Sequence, residues 1–408
     1  MESLYNIAIT SIVINKVPIS SLPNVLQDHI EERRTDIEKA HAWFNVIVSD
    51  GKRLQDVPLD YRGYRMCYTA VKNYGLSLQY VPLKHKTPDM CLIAVSMHEW
   101  ALSHVPKEMM TLEMCSGAVS RDGRMIQVMP DRLKTAKICL DAVSEYDWTL
   151  SYVPKKDRTR ELCLIAVSRH GWMLKHVPKK QRTQEVYVQA ISSERSIRGR
   201  KEVIADLPSE LRTEDTFLKA VSKNGEVLEH VPLEFKTENV CCAAVVENSR
   251  ALKYVPDLLK TQELCMKAIS NFGYSLEHVP LEHKTKDACL IAVSNYGQSL
   301  KFVPHDLKKE LCIDAVSNDG RALAHVPIEC RTKDVCLIAV SKHGLALQYV
   351  PDDLKMDKEM CLTSVSNRGW ALQYVPDVFK TQDVCFAAVT ESRWSLQYVP
   401  TVLRNSMY

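Results

Sequence analysis

The sequence predicts an all-α fold, an α-solenoid of about fifteen 24-residue repeats, each made of a helix, a turn and a short helix. The first observation is a proline, usually after valine, that recurs every 24 residues over most of the chain, as at Pro82, Pro106 and Pro130. A fixed period in this range indicates stacked supersecondary units. The other two observations are a threonine before most predicted helices and a glycine after most of them. These residue types favour helix starts and helix ends.

The segment that begins at Thr285 illustrates the first helix of a repeat. Thr285 is predicted to cap this helix, because its hydroxyl can accept a hydrogen bond from an otherwise unpaired backbone N–H. Cys289, Ala292 and Val293 lie three and four positions apart, which places them on one apolar stripe. Gly297 is predicted to end the helix in a left-handed backbone conformation.

A shorter helix is predicted after the glycine. Leu300 and Val303 face the same way for about a turn and a half, and Pro304 prevents the helix from continuing. The alternative is a β-containing horseshoe, since leucine-rich repeats have periods of about 20–29 residues. The Leu-x-Leu strand of those repeats is missing here, and the candidate strands carry alanine at their centres. The α-solenoid is therefore favoured.

The repeat array is predicted to be interrupted once. The interval from Pro178 to Pro208 is 30 residues long and includes several basic residues, such as Arg198 and Lys201. The first helix of the array is predicted to start at Thr35 and to act as an end cap. The predicted segments are an N-terminal cap or flexible leader at 1–34, a first array at 35–192, a basic insert or hinge at 193–202, a second array at 203–400 and a C-terminal stub at 401–408.

Twelve of the 14 cysteines occupy one position of the repeat, from Cys67 to Cys385. Packed helices lie about 8–10 Å apart, whereas disulfides need Cα separations of about 4.4–6.8 Å. These cysteines are therefore interpreted as small buried hydrophobes, without a metal or other cofactor. A chain with many free thiols suits a reducing compartment, so we expect a cytoplasmic location or, for a secreted chain, a host cytosol.

The composition argues against several classes of function. Fifty-three basic residues against 50 acidic ones leave the charge near balance, unlike that of a typical nucleic-acid-binding protein. No segment approaches the roughly 20 apolar residues of a membrane span. The sequence lacks a phosphate-binding loop, a Cys-x-x-Cys pair, a zinc-protease motif and a nucleophile elbow. The protein is predicted not to be an enzyme; the alternative places catalytic residues in the first 34 residues or near Gly199.

The motif Leu-Cys-Leu-x-Ala-Val-Ser-x-x-Gly-x-x-Leu-x-x-Val-Pro-x-x-Leu-Lys-Thr covers nearly all of the chain after residue 35. It resembles a short tandem repeat known only as a domain of unknown function, found in bacterial proteins, often from host-associated species, and in large DNA viruses. The resemblance implies no catalytic residues. It favours an effector-like protein that acts in a host cell, with the first thirty or so residues as a secretion signal; a resident cytoplasmic scaffold is the alternative.

The position after the glycine is the candidate partner-binding site. A purely structural position should keep one residue type, but this one varies among tryptophan, tyrosine and arginine, which dominate binding hot spots. We therefore expect a protein partner along one face of the solenoid. The alternative is that the tryptophans pack between repeats. The predicted partner-binding residues are Trp100, Arg124, Trp148, Trp172, Arg250, Tyr274, Arg321, Trp370 and Trp394.

A second candidate surface is a ladder of basic residues, each immediately before a cap threonine. Regularly spaced lysine and arginine side chains can bind a polyanion, as repeat proteins that bind RNA do. An acidic residue two or three positions further on, such as Asp89 or Glu161, is expected to neutralise most of them. Polyanion or nucleic-acid binding is therefore the alternative function. The ladder residues are Lys86, Lys134, Arg158, Arg182, Arg212, Lys236, Lys260, Lys284, Arg331 and Lys380.

Overall fold

From residue 24 to residue 404, the part of the chain that this computed structural model describes, the backbone is a succession of helices without a strand. It divides into two compact units, Met1–Val186 and Tyr187–Tyr408. Within each unit the helices of one repeat pack against those of the next. The prediction of an all-α repeat solenoid is confirmed, and the β-containing horseshoe is wrong.

Each repeat begins with an α-helix, in most repeats of eight to ten residues. The first unit contains the helices Asn24–Ser49, Tyr64–Asn73, Pro88–Met97, Leu112–Val119, Ala136–Glu145 and Arg160–Arg169. Helix Gln184–Ser193 contains the boundary between the units. The second unit continues with Ile197–Ala205, Glu214–Val221, Glu238–Glu247, Gln262–Asn271, Lys286–Asn295, His305–Asn318, Lys333–Lys342, Asp352–Lys355, Lys358–Asn367, Gln382–Glu391 and Thr401–Arg404.

The second element of the repeat is a six-residue 3-10 helix. Its last hydrogen bond in a typical repeat runs from the Val81 N–H to the Leu78 carbonyl at 3.3 Å, and Pro82 has no N–H to continue it. These helices are Gly51–Asp56, Gly75–Tyr80, Glu99–His104, Gly123–Val128, Asp147–Tyr152 and Gly171–His176 in the first unit. In the second unit they are Gly225–His230, Ser249–Tyr254, Gly273–His278, Gly297–Phe302, Gly320–His325, Gly344–Tyr349, Gly369–Tyr374 and Arg393–Tyr398.

A third, shorter 3-10 helix follows the proline in most repeats and leads to the next threonine. These three-residue helices are Leu59–Tyr61, Leu83–His85, Asp131–Leu133, Lys155–Asp157, Lys179–Gln181, Ser209–Leu211, Leu233–Phe235, Asp257–Leu259, Leu281–His283, Ile328–Cys330 and Asp377–Phe379. The α-helix Ile197–Ala205 takes the place of the six-residue 3-10 helix in the repeat that carries the extra residues. The predicted segment boundaries around residues 193–202 stay predictions.

The threonine caps form as predicted in most repeats. The Thr285 hydroxyl accepts a hydrogen bond from the Ala288 N–H at 3.3 Å. The same bond is made by Thr87, Thr111, Thr135, Thr159, Thr213, Thr237, Thr261 and Thr332. Where threonine is missing, the Asp357 carboxylate accepts from the N–H groups of Glu359 and Met360. The Thr381 hydroxyl instead bonds to the Asp383 side chain.

The predicted helix start at Thr35 is wrong. The helix begins at Asn24, and Thr35 lies within it, where its hydroxyl donates to the Glu32 carbonyl at 2.7 Å. A threonine inside a helix can satisfy its hydroxyl in this way without ending the helix. The remainder of the predicted N-terminal cap or leader, residues 1–23, lies outside the described residues.

The glycine that recurs in the repeats does not end the helix in a left-handed conformation, so that prediction is wrong. Tyr74, before Gly75, is extended with φ −151° and ψ 103°, and Gly75 is the first residue of the 3-10 helix. A Cβ atom on Gly75 would lie 2.5 Å from the carbonyl oxygen of Ala94 in the next repeat. Glycine is therefore needed because two backbones approach closely. The central alanine, fully buried, permits the same approach from the other side.

Asparagine side-chain amides form hydrogen bonds that link the ends of helices in neighbouring repeats. The Asn318 Nδ2 donates to the Ser294 carbonyl at 2.6 Å, and its Oδ1 accepts from the Gly297 N–H at 2.8 Å. Asn367 makes the equivalent pair of bonds to the preceding repeat. These bonds satisfy a helix-terminal carbonyl and a 3-10 N–H that have no partner within their own helices.

The twelve cysteines of the repeat position are buried free thiols, as predicted. Each thiol in a typical repeat is close to the carbonyl of the basic residue five positions earlier, and Cys289 Sγ donates to the Lys284 carbonyl at 3.7 Å. Cysteine is thus a small hydrophobe that also supplies a weak donor. Burial raises the pKa of the Cys289 thiol to about 11. The same bond is made by Cys67, Cys139, Cys163, Cys265 and Cys336.

The close approach at the glycine predicts a specific loss of stability. Gly320→Ala places a methyl group against the Ala339 carbonyl, so the free energy of unfolding should fall by roughly 1–3 kcal/mol. Gly117→Ala is the matched control, because nothing lies within 4 Å of its Cβ position in helix Leu112–Val119. The control should gain roughly 0.5–1 kcal/mol. Thermal unfolding followed by circular dichroism measures both, and equal midpoints for the two variants would contradict this account.

The buried thiols predict a loss of stability in alkali. Their pKa of about 11 in the folded chain exceeds the ordinary value of 9.0, so their contribution is constant below pH 9 and is lost as the pH rises towards 11. We compare the native chain with the triple variant Cys265→Ala, Cys289→Ala, Cys336→Ala. Between pH 8 and pH 10.5, the midpoint temperature of thermal unfolding should fall less steeply with pH in the variant than in the native chain. Parallel curves would show that these thiols do not ionise on unfolding.

Candidate protein-binding surface

All nine predicted partner-binding residues occupy the second position of a six-residue 3-10 helix. The third and fourth positions, such as Ala101 and Leu102, are buried in all but the last of these helices, where Leu396 is half-buried, so the second position faces outwards. Trp100 is 37 % exposed and Trp394 is 76 % exposed. We call these residues, together with the aromatic side chains that touch them, the ring surface. The structure places four of the nine in the first unit and five in the second.

In the first unit, Arg124 lies between two aromatic rings. Its guanidinium carbon is 5.0 Å from the Trp100 ring centre and 5.5 Å from that of Tyr146. The guanidinium also forms a two-pronged pair with Asp122, with Nε–Oδ1 2.9 Å and Nη2–Oδ2 2.8 Å. These hydrogen bonds hold the pKa of the Asp122 carboxyl below its ordinary value. The result is an ordered guanidinium stacked between the exposed ring of Trp100 and the half-buried ring of Tyr146.

The ring surface continues along the first unit through Trp148 and Trp172. The Trp148 ring centre lies 6.1 Å from Tyr146 and 6.0 Å from Tyr152. The Lys175 ammonium lies 4.6 Å from the ring centre of Trp172. Trp148 is half-buried, and both of these rings belong to its own repeat.

In the second unit, Arg250 and Tyr274 line an aromatic cavity of about 330 Å³. The Arg250 guanidinium lies 5.2 Å from the Phe272 ring centre. The Tyr274 ring packs 5.7 Å from Tyr296, and its hydroxyl accepts a 2.8 Å hydrogen bond from Lys301 Nζ. The complete lining is Arg250, Lys253, Phe272, Tyr274, Ser275, His278 and Tyr296.

The remaining predicted residues are arranged differently. Arg321 forms a two-pronged pair with Asp319, with Nη2–Oδ2 2.9 Å. The Trp370 ring centre lies 6.0 Å from that of Tyr398. Trp394, the most exposed tryptophan of the set, projects from the last 3-10 helix, Arg393–Tyr398. The second unit therefore carries separate aromatic groups and not one uninterrupted strip.

Sequence analysis missed the aromatic residues that precede the glycine position. Tyr146, Phe272 and Tyr296 complete the contacts described above. The signal was available, because a ring recurs at this position of the repeat in several units. The ring residues at this position are Tyr74, His98, Tyr146, His170, Phe272, Tyr296 and His343.

Seven segments of the chain match one family model, described as Domain of unknown function (DUF4116). One segment stands apart, and the other six overlap one another. The matched residues are 66–110, 237–284, 261–308, 285–331, 308–355, 332–380 and 357–404. Together they cover just over half of the chain. The chain belongs to the DUF4116 family. No curated protein matches it. The resemblance inferred from the repeat motif is confirmed, and the DUF4116 description assigns no activity or site residue.

The basic ladder of the DUF4116 repeats is part of their internal structure. The Lys284 Nζ donates to the Phe302 carbonyl, in the next repeat, at 3.0 Å. Burial lowers the pKa of Lys284. Equivalent bonds join Lys86 to His104, Lys134 to Tyr152, Arg158 to His176, Lys236 to Tyr254 and Arg331 to Tyr349. Each of these cations therefore links two neighbouring repeats and has at least one donor already used.

The acidic partners of the ladder also differ from those expected. Lys260 pairs with Asp257 at 2.8 Å, and Lys380 pairs with Asp377 at 2.9 Å. Both acids lie three residues before the lysine, not two or three after it. The short 3-10 helix after the proline brings these residues together, since positions three apart eclipse in that helix.

The turns after the prolines carry exposed charges, and the balance of these charges differs between the units. In the first unit the exposed basic residues of these turns are Lys84, Lys107, Arg132, Lys155, Lys156, Lys179 and Lys180, and they outnumber the exposed acids Asp60, Glu108 and Asp131. In the second unit the same turns carry the exposed acids Glu210, Glu234, Asp257, Glu282, Asp306, Glu329, Asp352, Asp353 and Asp377. In the sequence analysis, only the total numbers of basic and acidic residues in the whole chain were compared. These totals nearly cancel, so the difference between the units was not recognised.

Two further findings limit the chemistry of the described part of the chain. No helix between residues 24 and 404 is long and apolar enough to cross a membrane. Within the same range, no three side chains of histidine, cysteine, aspartate or glutamate are grouped so that they could hold a metal ion.

Proposed function

We propose that the protein is a non-enzymatic scaffold that binds another protein through the ring surface. The observation that carries this proposal is the exposed guanidinium of Arg124, held between Trp100 and Tyr146 and paired with Asp122. Tryptophan, tyrosine and arginine contribute most to the free energy of protein association. Side chains that are already ordered lose little conformational entropy on binding.

A protein partner fits this surface better than a small molecule. The aromatic contacts are distributed over successive repeats of the first unit, from Trp100 to Trp172, each on its own 3-10 helix. A standard protein interface covers about 800 Å² of each partner. Contacts spread over several repeats can supply such an area, as in other repeat proteins. For a chain delivered into a host cell, the expected partner is a host protein; for a resident scaffold, it is a protein of the same cell.

The double variant Trp100→Ala, Arg124→Ala tests this function. Immobilised full-length protein should capture at least one protein from a cell lysate, and the variant should recover it at least ten-fold less, because two stacked contacts are lost. The readout is quantitative mass spectrometry of host and bacterial lysates. Leu83→Ala is the matched control, since Leu83 is 68 % exposed but lies outside the ring surface.

Circular dichroism should show the same helical content in all three proteins, because both substituted residues are at the surface. Equal recovery of every captured protein by the native chain and the double variant would reject the ring surface as the binding site. A loss of helical content in the double variant would instead assign these side chains a role in the fold.

Polyanion binding is the second candidate function, and the exposed basic turns of the first unit favour it. We infer that Lys155, Lys156, Lys179 and Lys180, and not the ladder residues, would contact a polyanion such as RNA. These four lysines are exposed and take no part in a described ion pair. Each phosphate contact contributes to the salt dependence of binding.

Heparin chromatography tests this second function. The variant with Lys155, Lys156, Lys179 and Lys180 all changed to serine should elute at clearly lower salt than the native chain, because about four ionic contacts are removed. A control variant removes the same charge at four other exposed lysines, Lys39, Lys52, Lys72 and Lys137. The control should elute nearer to the native chain. If the two variants elute together, the turns do not form a polyanion site.

A further inference from the structure

The three arginines of the ring surface differ in one respect. Arg124 and Arg321 each pair with an aspartate two residues earlier, Asp122 and Asp319. Arg250 has Asn248 at that position, and the Asn248 Oδ1 accepts a hydrogen bond from the backbone N–H of Arg250 at 3.0 Å. Within residues 24–404, the guanidinium of Arg250 forms no ion pair with a carboxylate. Its planar set of N–H donors is therefore available to a ligand.

The unpaired guanidinium lies at the wall of the aromatic cavity. It is stacked over Phe272, whose ring centre is 6.0 Å from that of Tyr274 and 6.3 Å from that of Tyr296. The volume of about 330 Å³ is at the lower end of the range for ligand pockets. The cavity lining contains two cationic side chains, Arg250 and Lys253, and no acidic side chain.

We propose that this cavity binds an aromatic ring that carries or adjoins an anionic oxygen group on a peptide. Two sources share this chemistry: a phosphotyrosine side chain, and a C-terminal phenylalanine, tyrosine or tryptophan with its free carboxylate. The inference rests on the proposed protein-binding function and names one feature of the partner.

Each part of the ligand matches one part of the cavity. An arginine fork binds a phosphate or carboxylate through two parallel hydrogen bonds. Aromatic rings prefer offset or edge-to-face contact with other rings, which Phe272, Tyr274 and Tyr296 offer. An aspartate or glutamate side chain would engage Arg250 but leave the ring walls uncovered. A free phosphate would do the same.

Fluorescence anisotropy with the full chain tests the proposal. The probes are four labelled libraries of short random peptides: one with a central phosphotyrosine, the same library with tyrosine, one that ends in a free aromatic carboxylate, and the same library with an amidated end. We expect one anionic library to bind at least ten-fold more tightly than its neutral counterpart. The pair that shows this difference identifies the source of the anion.

The variant Arg250→Gln should remove that ten-fold preference, because it deletes the fork and its charge. Arg321→Gln is the matched control, since it removes the same charge at the equivalent position of another repeat and should leave the preference unchanged. The proposal is overturned if neither anionic library is preferred, or if the preference persists in Arg250→Gln. Either result leaves the first-unit test with Trp100 and Arg124 unaffected, so failure of this inference is distinct from failure of the proposed function.

Discussion

The close approach of two backbones at the glycine position is the constraint on which the rest of the repeat depends. A Cβ atom on Gly75 would lie 2.5 Å from the Ala94 carbonyl oxygen of the next repeat. The start of one 3-10 helix therefore packs directly against the backbone of the neighbouring helix at its central alanine. Stability in such an array comes from contacts between neighbouring repeats, so each one must fit closely.

Backbones this close leave helix ends away from water, and unpaired buried polar groups are costly. In this repeat, side chains form hydrogen bonds with such main-chain groups. Asn318 joins a carbonyl and an N–H of the preceding repeat, Lys284 donates to the Phe302 carbonyl, and Cys289 donates weakly to the Lys284 carbonyl. Because these positions already serve the fold, the residues free to vary are those that face outwards from the 3-10 helices and the proline turns.

The two outward positions differ in what they offer to a partner. The ring surface presents aromatic side chains and arginines that are mostly held by neighbours, as Arg124 is held by Asp122. The proline turns present exposed charges, mostly basic in the first unit and acidic in the second. Ordered rings favour specific contacts, whereas exposed charges favour long-range attraction that salt weakens. Arg250 combines features of both, since it is stacked on Phe272 but lacks an acidic partner.

The sequence by itself determined what depends on short spacing: the period, the threonine caps such as Thr285, and the buried positions of Cys289 and Ala292. Capping and amphipathic periodicity act within one helix, so they can be recognised without a structure. Only the tertiary structure decided why glycine is needed, what the ladder lysines bind and which rings surround Arg124. Those answers depend on contacts between residues about 18 to 26 positions apart, which arise when one repeat stacks on the next.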